Sequence, residues 1–371
     1  MAPDELPNFF ARNGLSAQDL HACLAFARTR FPSPLPFPIE AIAKQGGCSF
    51  TLLLLLASHN GQQREKQQNG VIVQFRMLRH ALCWEMVCDA REIYGGFAPR
   101  GFWCESFDVG GGDDDDDDDD DGGGGGRRGR RRMQGFGMSM ISGSSLSDDG
   151  VWLEMGWKVR RVLRGFARFF ALGWRGSKEK EKKGRVGRSI LARLGCLEKG
   201  LPFPWLRQRA SRTKRDVENG GLECLPVVLT HGDLIPSNVM IDPESLELLG
   251  LVDWAEAEYL PFGMGLYGVE HLLGKMSQSE EGEWRFEYRG EVSELREYFW
   301  SALRCEIPEL GERRIWRAML LAREVGIFLW HGIAWDDGNL DRVVNPVDDQ
   351  EELAYLQAFL NSGSGYEKSM L

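Results

Sequence analysis

The sequence predicts an α+β protein of two unequal lobes: a small β-rich N-lobe ending near Ser142 and a larger, mainly helical C-lobe from Gly143 onward. Three observations predict it. Two apolar runs, Phe50–Ala57 and Val71–Arg76, flank a polar stretch, which is the pattern of two strands joined by an enlarged hairpin loop. Val159, Val162, Leu163, Phe166, Phe169 and Phe170 recur at i, i+3, i+4, i+7 with arginines opposite, the stripe of an amphipathic helix. After Leu222, short apolar runs alternate with turn residues and then pass into a helical remainder that reaches about Leu360. The 371 residues suit two domains or one bilobal unit, and a hydrophobic content of 43% excludes a chain that is disordered throughout.

The elements follow in order. Residues 1–36 read as a helical lead-in, Ala17 to Arg30, closed by Phe31-Pro-Ser-Pro-Leu-Pro-Phe-Pro38, whose prolines forbid both a helix and a central strand. The N-lobe, 37–142, opens with a glycine turn at Gly46 and Gly47, then the two strands. A helix over Ala81–Tyr94 follows, with apolar residues near 82, 86, 87, 90 and 93. Gly110–Arg132 collapses into Gly, Asp and Arg; it cannot bury apolar surface and is expected to be a disordered insertion spanning about 104–134. Phe136 to Leu146 reads as a short strand passing into a glycine turn. The C-lobe, 143–371, carries a second polar, charged insertion at about 175–190.

Charge is distributed unevenly. Asp113–Asp121 alone accounts for nine acidic residues, and without it the formal charge of −10 becomes −1. Lys158 to Arg215 holds 19 Lys and Arg against 3 Glu, yet it contains no recognised nucleic-acid module, and no nucleic-acid partner is expected. The acidic, proline-punctuated start does not suit a secretory signal, and the leucine run Leu52–Leu56 falls far short of the roughly 20 apolar residues that span a bilayer, so no membrane association is expected. Eight scattered cysteines read as reduced thiols of a cytoplasmic protein rather than as metal ligands.

The segment after Leu222 carries chemistry. Leu225-Pro-Val-Val-Leu-Thr230 is a strand ending at His231-Gly-Asp-Leu-Ile-Pro-Ser-Asn238; Val239-Met-Ile241, the turn Asp242-Pro-Glu-Ser245 and Leu248-Leu-Gly-Leu-Val252 then form a hairpin ending at Asp253. Folding that hairpin brings Asn238 and Asp253 to its open end. An amide oxygen and a carboxylate there make a hard-oxygen site suited to Mg²⁺, which takes one or two carboxylates together with waters and substrate phosphates. Asp233, on the same loop, can orient a substrate hydroxyl and accept its proton as a phosphoryl group moves.

These motifs, His231 to Asn238 followed by Leu251-Val-Asp-Trp254, resemble those of the aminoglycoside phosphotransferase and choline kinase group. The wider stretch, through Asp253-Trp-Ala-Glu-Ala-Glu-Tyr-Leu-Pro-Phe-Gly263, resembles a fungal branch of it whose substrates are largely unassigned. The resemblance implies a protein-kinase-like fold, with Asp233 as the catalytic aspartate, Asn238 and Asp253 as Mg²⁺ ligands, and His231 as support for the catalytic loop. Gln45-Gly-Gly-Cys-Ser-Phe-Thr51 resembles the family's nucleotide loop, which implicates Gly46, Gly47 and Ser49 in phosphate binding. Where the third strand should deliver a lysine the chain has Gln74; Arg76 projects on the same face and could supply the charge, with Glu85 of the following helix as its partner and Glu92 as the rival. Phe136–Ile141, with Gly143 and Leu146, resembles the family's adenine-binding hinge, which implies that Met138 and Met140 face the base; a plain edge strand is the alternative.

The expected activity is ATP-dependent, Mg²⁺-assisted transfer of the γ-phosphate to a hydroxyl of a small molecule, in a protein whose oligomeric state the sequence leaves open. Glu256, Glu258, Asp336 and Asp337 are candidate partners for a cationic acceptor. The alternative, prompted by Gln74 and the large insertions, is a nucleotide-binding pseudokinase that acts as a scaffold.

Overall fold

The computed structural model describes residues 7–30, 39–42, 45, 47–55, 70–109, 131–148, 158–177, 185–336 and 339–362. The chain divides into two compact units, residues 1–84 with 99–142, and residues 85–98 with 143–371.

The first unit is a five-stranded antiparallel sheet of order β1-β2-β3-β5-β4, built from Ile39–Ala41, Ser49–Leu55, Gly70–Met77, Gly101–Val109 and Arg131–Ser139, numbered β1 to β5 along the chain. Strand alternation separates its faces. Phe50, Leu52 and Leu54 of β2 and Val71, Val73, Phe75 and Met77 of β3 point to one side, where they are buried with Phe9 and Phe10 of α1 (Asn8–Arg12) and Cys23 and Ala27 of α2 (Ala17–Thr29). Phe26 of α2 stacks on Phe107 with ring centroids 4.4 Å apart and meets Trp103 edge-on. A capping box starts α2: the Asp19 N–H donates to Ser16 Oγ, and the Ser16 N–H donates to Asp19 Oδ2 at 2.7 Å. The N-terminal helices therefore pack into this unit's core instead of leading into it. The opposite face carries Ser49, Thr51, Gln74 and Arg76.

The insertion expected at about 104–134 is narrower than its composition implied. Gly101–Val109 and Arg131–Ser139 pair as neighbouring strands, Phe107 opposite Met133, and only residues 110–130 between them lie outside the described residues. Arginine-rich residues at 131 and 132 looked like more of the low-complexity run, but ladder pairing depends on backbone and accepts any side chain at an exposed strand end.

The second unit is mainly helical: α3 (Trp84–Tyr94), α4 (Val159–Arg175), α5 (Arg185–Gly200), α6 (Pro204–Glu218), α7 (Glu270–Leu273), α8 (Val292–Glu306), α9 (Arg313–His331) and α10 (Gln350–Asn361). All but the first residue of α3 belongs here. The predicted stripe of α4 is buried in full, and Phe170 meets Phe299 of α8 edge-on at 6.4 Å. Its opposite face meets acidic and aromatic residues of α8: Arg160 pairs with Glu294 at 3.6 Å, Arg175 with Glu306 at 2.9 Å, and Arg164 donates to the Tyr298 hydroxyl at 3.0 Å. The basic middle of the chain is thus partly matched by its own acidic C-terminal third. The charged stretch at 175–190 is also shorter than expected: α4 continues to Arg175, α5 begins at Arg185, and 178–184 lie outside the described residues.

Small sheets position the loops. Ser144–Ser145 (β6), Val239–Ile241 (β8) and Leu248–Leu251 (β9) form one; Val227–Thr230 (β7) pairs antiparallel with Glu258–Pro261 (β10). Two further hairpins, Gly274–Gln278 (β11) with Trp284–Tyr288 (β12) and Ile333–Asp336 (β13) with Asn339–Val343 (β14), interrupt the remainder that was expected to be helical. The period-2 alternation of Trp284-Arg-Phe-Glu-Tyr288 was the signal that a helical reading passes over.

At the centre of this unit Glu270, 1% exposed, accepts from Arg323 and Arg296, each at 2.7 Å, and from the Tyr288 hydroxyl at 2.9 Å. Burial alone would raise its carboxyl, but Arg323 and Arg296 hold it below the usual range. Removing one partner of such a cluster leaves buried charge uncompensated. Glu270→Ala is expected to cost about 3–5 kcal/mol in urea unfolding; a loss under about 1 kcal/mol, the scale of an exposed pair, would contradict this role.

Candidate active site

The loop after β7 is shaped by its backbone. Gly232 has φ +86, and a Cβ there would stand 2.0 Å from the carbonyl oxygen of Glu256, so only glycine lets the two loops approach so closely. His231 is fully buried. Its Nε2 lies 2.9 Å from the Val252 carbonyl and its Nδ1 accepts the Asp233 N–H at 3.3 Å, which fixes the neutral tautomer protonated at Nε2. Burial pushes this imidazole down to about 4. With both nitrogens engaged and Trp254 packed 4.7 Å from its ring, His231 ties Asp233 to the segment before Asp253. Neither ring nitrogen is left to relay a proton.

Tyr267 clamps the same loop from below. Its hydroxyl donates to Gly232 O at 3.2 Å and accepts the Leu234 N–H at 3.1 Å, gripping the backbone on either side of Asp233. The Asn238 amide nitrogen donates to Asp233 O at 3.0 Å and to Asp233 Oδ2 at 2.8 Å. That commitment leaves the Asn238 side-chain oxygen as the atom able to serve a cation. Across the β8–β9 hairpin the Val252 N–H donates to Asn238 O at 3.0 Å, so Asn238 and Asp253 end adjacent strands, as their distances from the turn predicted. Asp253 is exposed and sits in the left-handed region at φ 60, ψ 71, a strained backbone of the kind concentrated at functional positions.

Two carboxylates therefore share a small region. Asp233 is raised to about 6 by burial and then by the charge of Asp253. Among the described residues no group of three or more His, Cys, Asp or Glu gathers as a metal site. The donor set here is instead two carboxylates and an amide oxygen, the hard-oxygen chemistry that suits Mg²⁺, and the repulsion between the carboxylates is what a divalent cation would relieve.

In the first unit, Gly47 stands in the turn before β2, while Gly46 lies outside the described residues. Ser49 pairs with Arg76 and Thr51 with Gln74 across β2 and β3. Met138 and Met140 are half-buried; Met138 pairs with Ile72, and the Met140 N–H donates to Gly70 O at 3.0 Å. In the second unit, Glu85 and Glu92 are exposed on α3, and the buried carboxylate of that helix is Asp89, which accepts the Tyr259 hydroxyl at 2.5 Å.

Of the carboxylates expected to face an acceptor, Glu258 is buried and accepts the Gly187 N–H at 3.2 Å, so it is a structural group. Glu256 is exposed, Asp336 ends β13, and Asp337 lies outside the described residues. Two groups that the sequence reading did not bring to the site act electrostatically on Asp233: Glu352 of α10, which raises it, and His331 of α9, which lowers it, the two joined at 2.8 Å through His331 Nδ1. Their distance along the chain from Asp233 left no local signal.

Beside His331, His271 is buried with its Nε2 unpartnered, and burial followed by the nearby His331 holds it well below 6.5. His231 behaves alike. Both are neutral when folded but take up protons when unfolded below about pH 6.5, so the unfolded state binds more protons and stability falls as pH falls. The expected slope is up to about 1.4 kcal/mol per pH unit for each histidine. For His231 the loss runs from about 6.5 down to about 4. Urea midpoints between pH 7.5 and 5 should show it, and His271→Phe should make the slope shallower by one proton; an unchanged slope would refute the assignment.

Residues 164–266, which contain most of α4, the loop and both hairpin strands, match the model of the phosphotransferase enzyme family. No curated protein matches the chain. Among solved structures, the GDP complex of wild-type aminoglycoside 2'-phosphotransferase-IIIa is similar with a TM-score of 0.54 at 14% identity, covering 93% of this chain and 99% of that one. The GDP and kanamycin complex of the APH(2")-IIIa enzyme is similar with a TM-score of 0.52, again at 14% identity, with 93% and 99% covered. The fold is thus α+β and protein-kinase-like. The resemblance to aminoglycoside phosphotransferases read from the loop motifs holds, and the loop motifs lie within the residues 164–266 that match this model.

Proposed function

We propose that the chain is a small-molecule phosphotransferase that moves the γ-phosphate of ATP to an acceptor hydroxyl. The observation that carries this reading is the loop holding Asp233: the backbone on either side of it gripped by Tyr267, its carboxylate by Asn238, and its own N–H by His231. A carboxylate raised to about 6 and fixed this firmly is suited to align a hydroxyl and accept its proton as the bond to phosphorus forms. The Asn238 side-chain oxygen and Asp253 are the residues that would hold Mg²⁺, which when bound neutralises charge on the phosphates. The nucleotide contacts that the resemblance implies are Gly46, Gly47, Ser49, Met138 and Met140. Glu256 and Glu352, both charges felt at the loop, favour an acceptor bearing amino groups.

The test is turnover of Mg·ATP against a panel of amino-alcohols, sugars and aminoglycosides, read as phosphorylated product by mass spectrometry. Product with any class supports transfer. ATP binding without product across the whole panel would favour the scaffold role that Gln74 first raised.

A further inference from the structure

We infer that Trp330, near the C-terminal end of α9, is a positioning residue for Asp233: it aims the ring of Tyr267, whose hydroxyl in turn sets the backbone of the reaction loop. The kinetic consequence rests on the phosphotransferase reading; the geometry stands without it. Tyr267 is 1% exposed and sits in a short 3-10 turn, Met264–Val269, every residue of which is buried. Its hydroxyl makes the two bonds that bracket Asp233, one given to Gly232 O and one received from the Leu234 N–H. Only a protonated phenol can do both, and burial followed by the charge of Asp233 holds this one well above its ordinary 10. His231 and Asn238 hold Asp233 from within the loop itself, whereas Tyr267 reaches it from a separate segment.

A hydroxyl at the far end of a side chain is only as well placed as the ring that carries it, because a small tilt takes it outside the narrow range of distance and angle that a hydrogen bond allows. Here the ring is aimed from α9 and α7. Trp330 stacks on it with centroids 5.3 Å apart and planes at 22°, while His331 meets it edge-on at 5.6 Å and His271 at 6.4 Å. His331 is itself fixed by Glu352 of α10 at 2.8 Å. The backbone under the ring is equally constrained: a Cβ on Gly326 of α9 would stand 1.9 Å from Met264 O, so helix and turn touch where no larger residue fits. Of the three neighbouring rings, Trp330 supplies the face contact and is half-buried, whereas both histidines are buried. It is therefore the member that can be changed without opening the core, and the one whose loss frees the Tyr267 ring to tilt.

The test reads the loop in two ways on the full chain: hydrogen–deuterium exchange of the peptide covering Thr230–Leu234 with nothing bound, and steady-state turnover of Mg·ATP with whichever member of the acceptor panel gives product. Trp330→Leu keeps apolar bulk but removes the stacking face. It should speed exchange of that peptide at least about fivefold while α4 exchanges like the parent's, and lower kcat about 10–100-fold with both KM values within about threefold. Trp330→Phe restores a face and should bring both readouts to within about threefold of the parent. Tyr267→Phe removes the hydroxyl alone and should lose at least as much as Trp330→Leu. Combining the two should cost no more than about twofold beyond Tyr267→Phe, since once the hydroxyl is gone its aim no longer matters. The inference is overturned if Trp330→Leu leaves exchange at 230–234 unchanged, if α4 exchange rises equally, if Trp330→Phe is as damaging as Trp330→Leu, or if the losses multiply in the double variant. Should Tyr267→Phe fail to fold, the two Trp330 variants decide. A parent chain that phosphorylates no acceptor sinks the phosphotransferase reading, and the exchange pattern still decides whether Trp330 sets the loop.

Discussion

Asp233→Asn should lower turnover by about 10²–10⁴-fold, the usual contribution of a positioned proton acceptor, with Mg·ATP affinity changed no more than a few fold. Asparagine is the informative substitution because it keeps the volume and one acceptor oxygen, so the hydrogen bond from Asn238 and the grip of Tyr267 on the neighbouring backbone can persist. What it removes is the ability to take a proton. The measurement pairs steady-state kinetics on the acceptor identified by the panel with calorimetric nucleotide binding. Full turnover in this variant would remove Asp233 from the chemistry, and a matching collapse of nucleotide affinity would make it a structural residue.

Asp253→Asn should separate the metal from the nucleotide. Asp253 is the carboxylate proposed to hold Mg²⁺ together with the Asn238 oxygen and the phosphates, so neutralising it should weaken Mg·ATP at least about tenfold while metal-free ATP is little affected. Asparagine is again preferred over alanine. Asp253 adopts φ 60, and asparagine is among the few residues that tolerate the left-handed region, so a lost affinity reports charge and not a collapsed turn. Thermal midpoints with and without Mg²⁺ in the presence of ATP provide the readout. An unchanged Mg²⁺ dependence would place the cation elsewhere. Asp233 should also move part of the way toward an ordinary carboxylate in this variant, since Asp253 is the charge that raises it most, after burial.

Much of this site could be read before folding because its chemistry is local. His231, Asp233 and Asn238 lie on one loop, and the turn at Asp242–Ser245, where Asp242 Oδ1 accepts the N–H groups of Glu244 and Ser245, returns the chain to Asp253. Short hairpins translate sequence spacing directly into distance. The paired strands Gly101–Val109 and Arg131–Ser139 were less legible, since their ends merge into low-complexity sequence and their bonding is carried by backbone. Tyr267, Glu352 and His331 left no trace near the loop at all.

Residue spacing determined the mix of strands and helices, the buried stripe of α4 and the oxygen donors gathered at one hairpin end, because each depends on periodicities of 3.6 or 2 and on one turn, while the two-lobed arrangement followed from the resemblance of the loop motifs. Tertiary structure decided the rest: that the N-terminal helices complete the first unit's core, that Glu258 is buried, that His231 holds a neutral tautomer, and that Gln74 turns its oxygen to Arg76. Each of these depends on packing between segments distant in the chain, and the desolvation and hydrogen bonding imposed by such packing set the protonation state and orientation of a side chain.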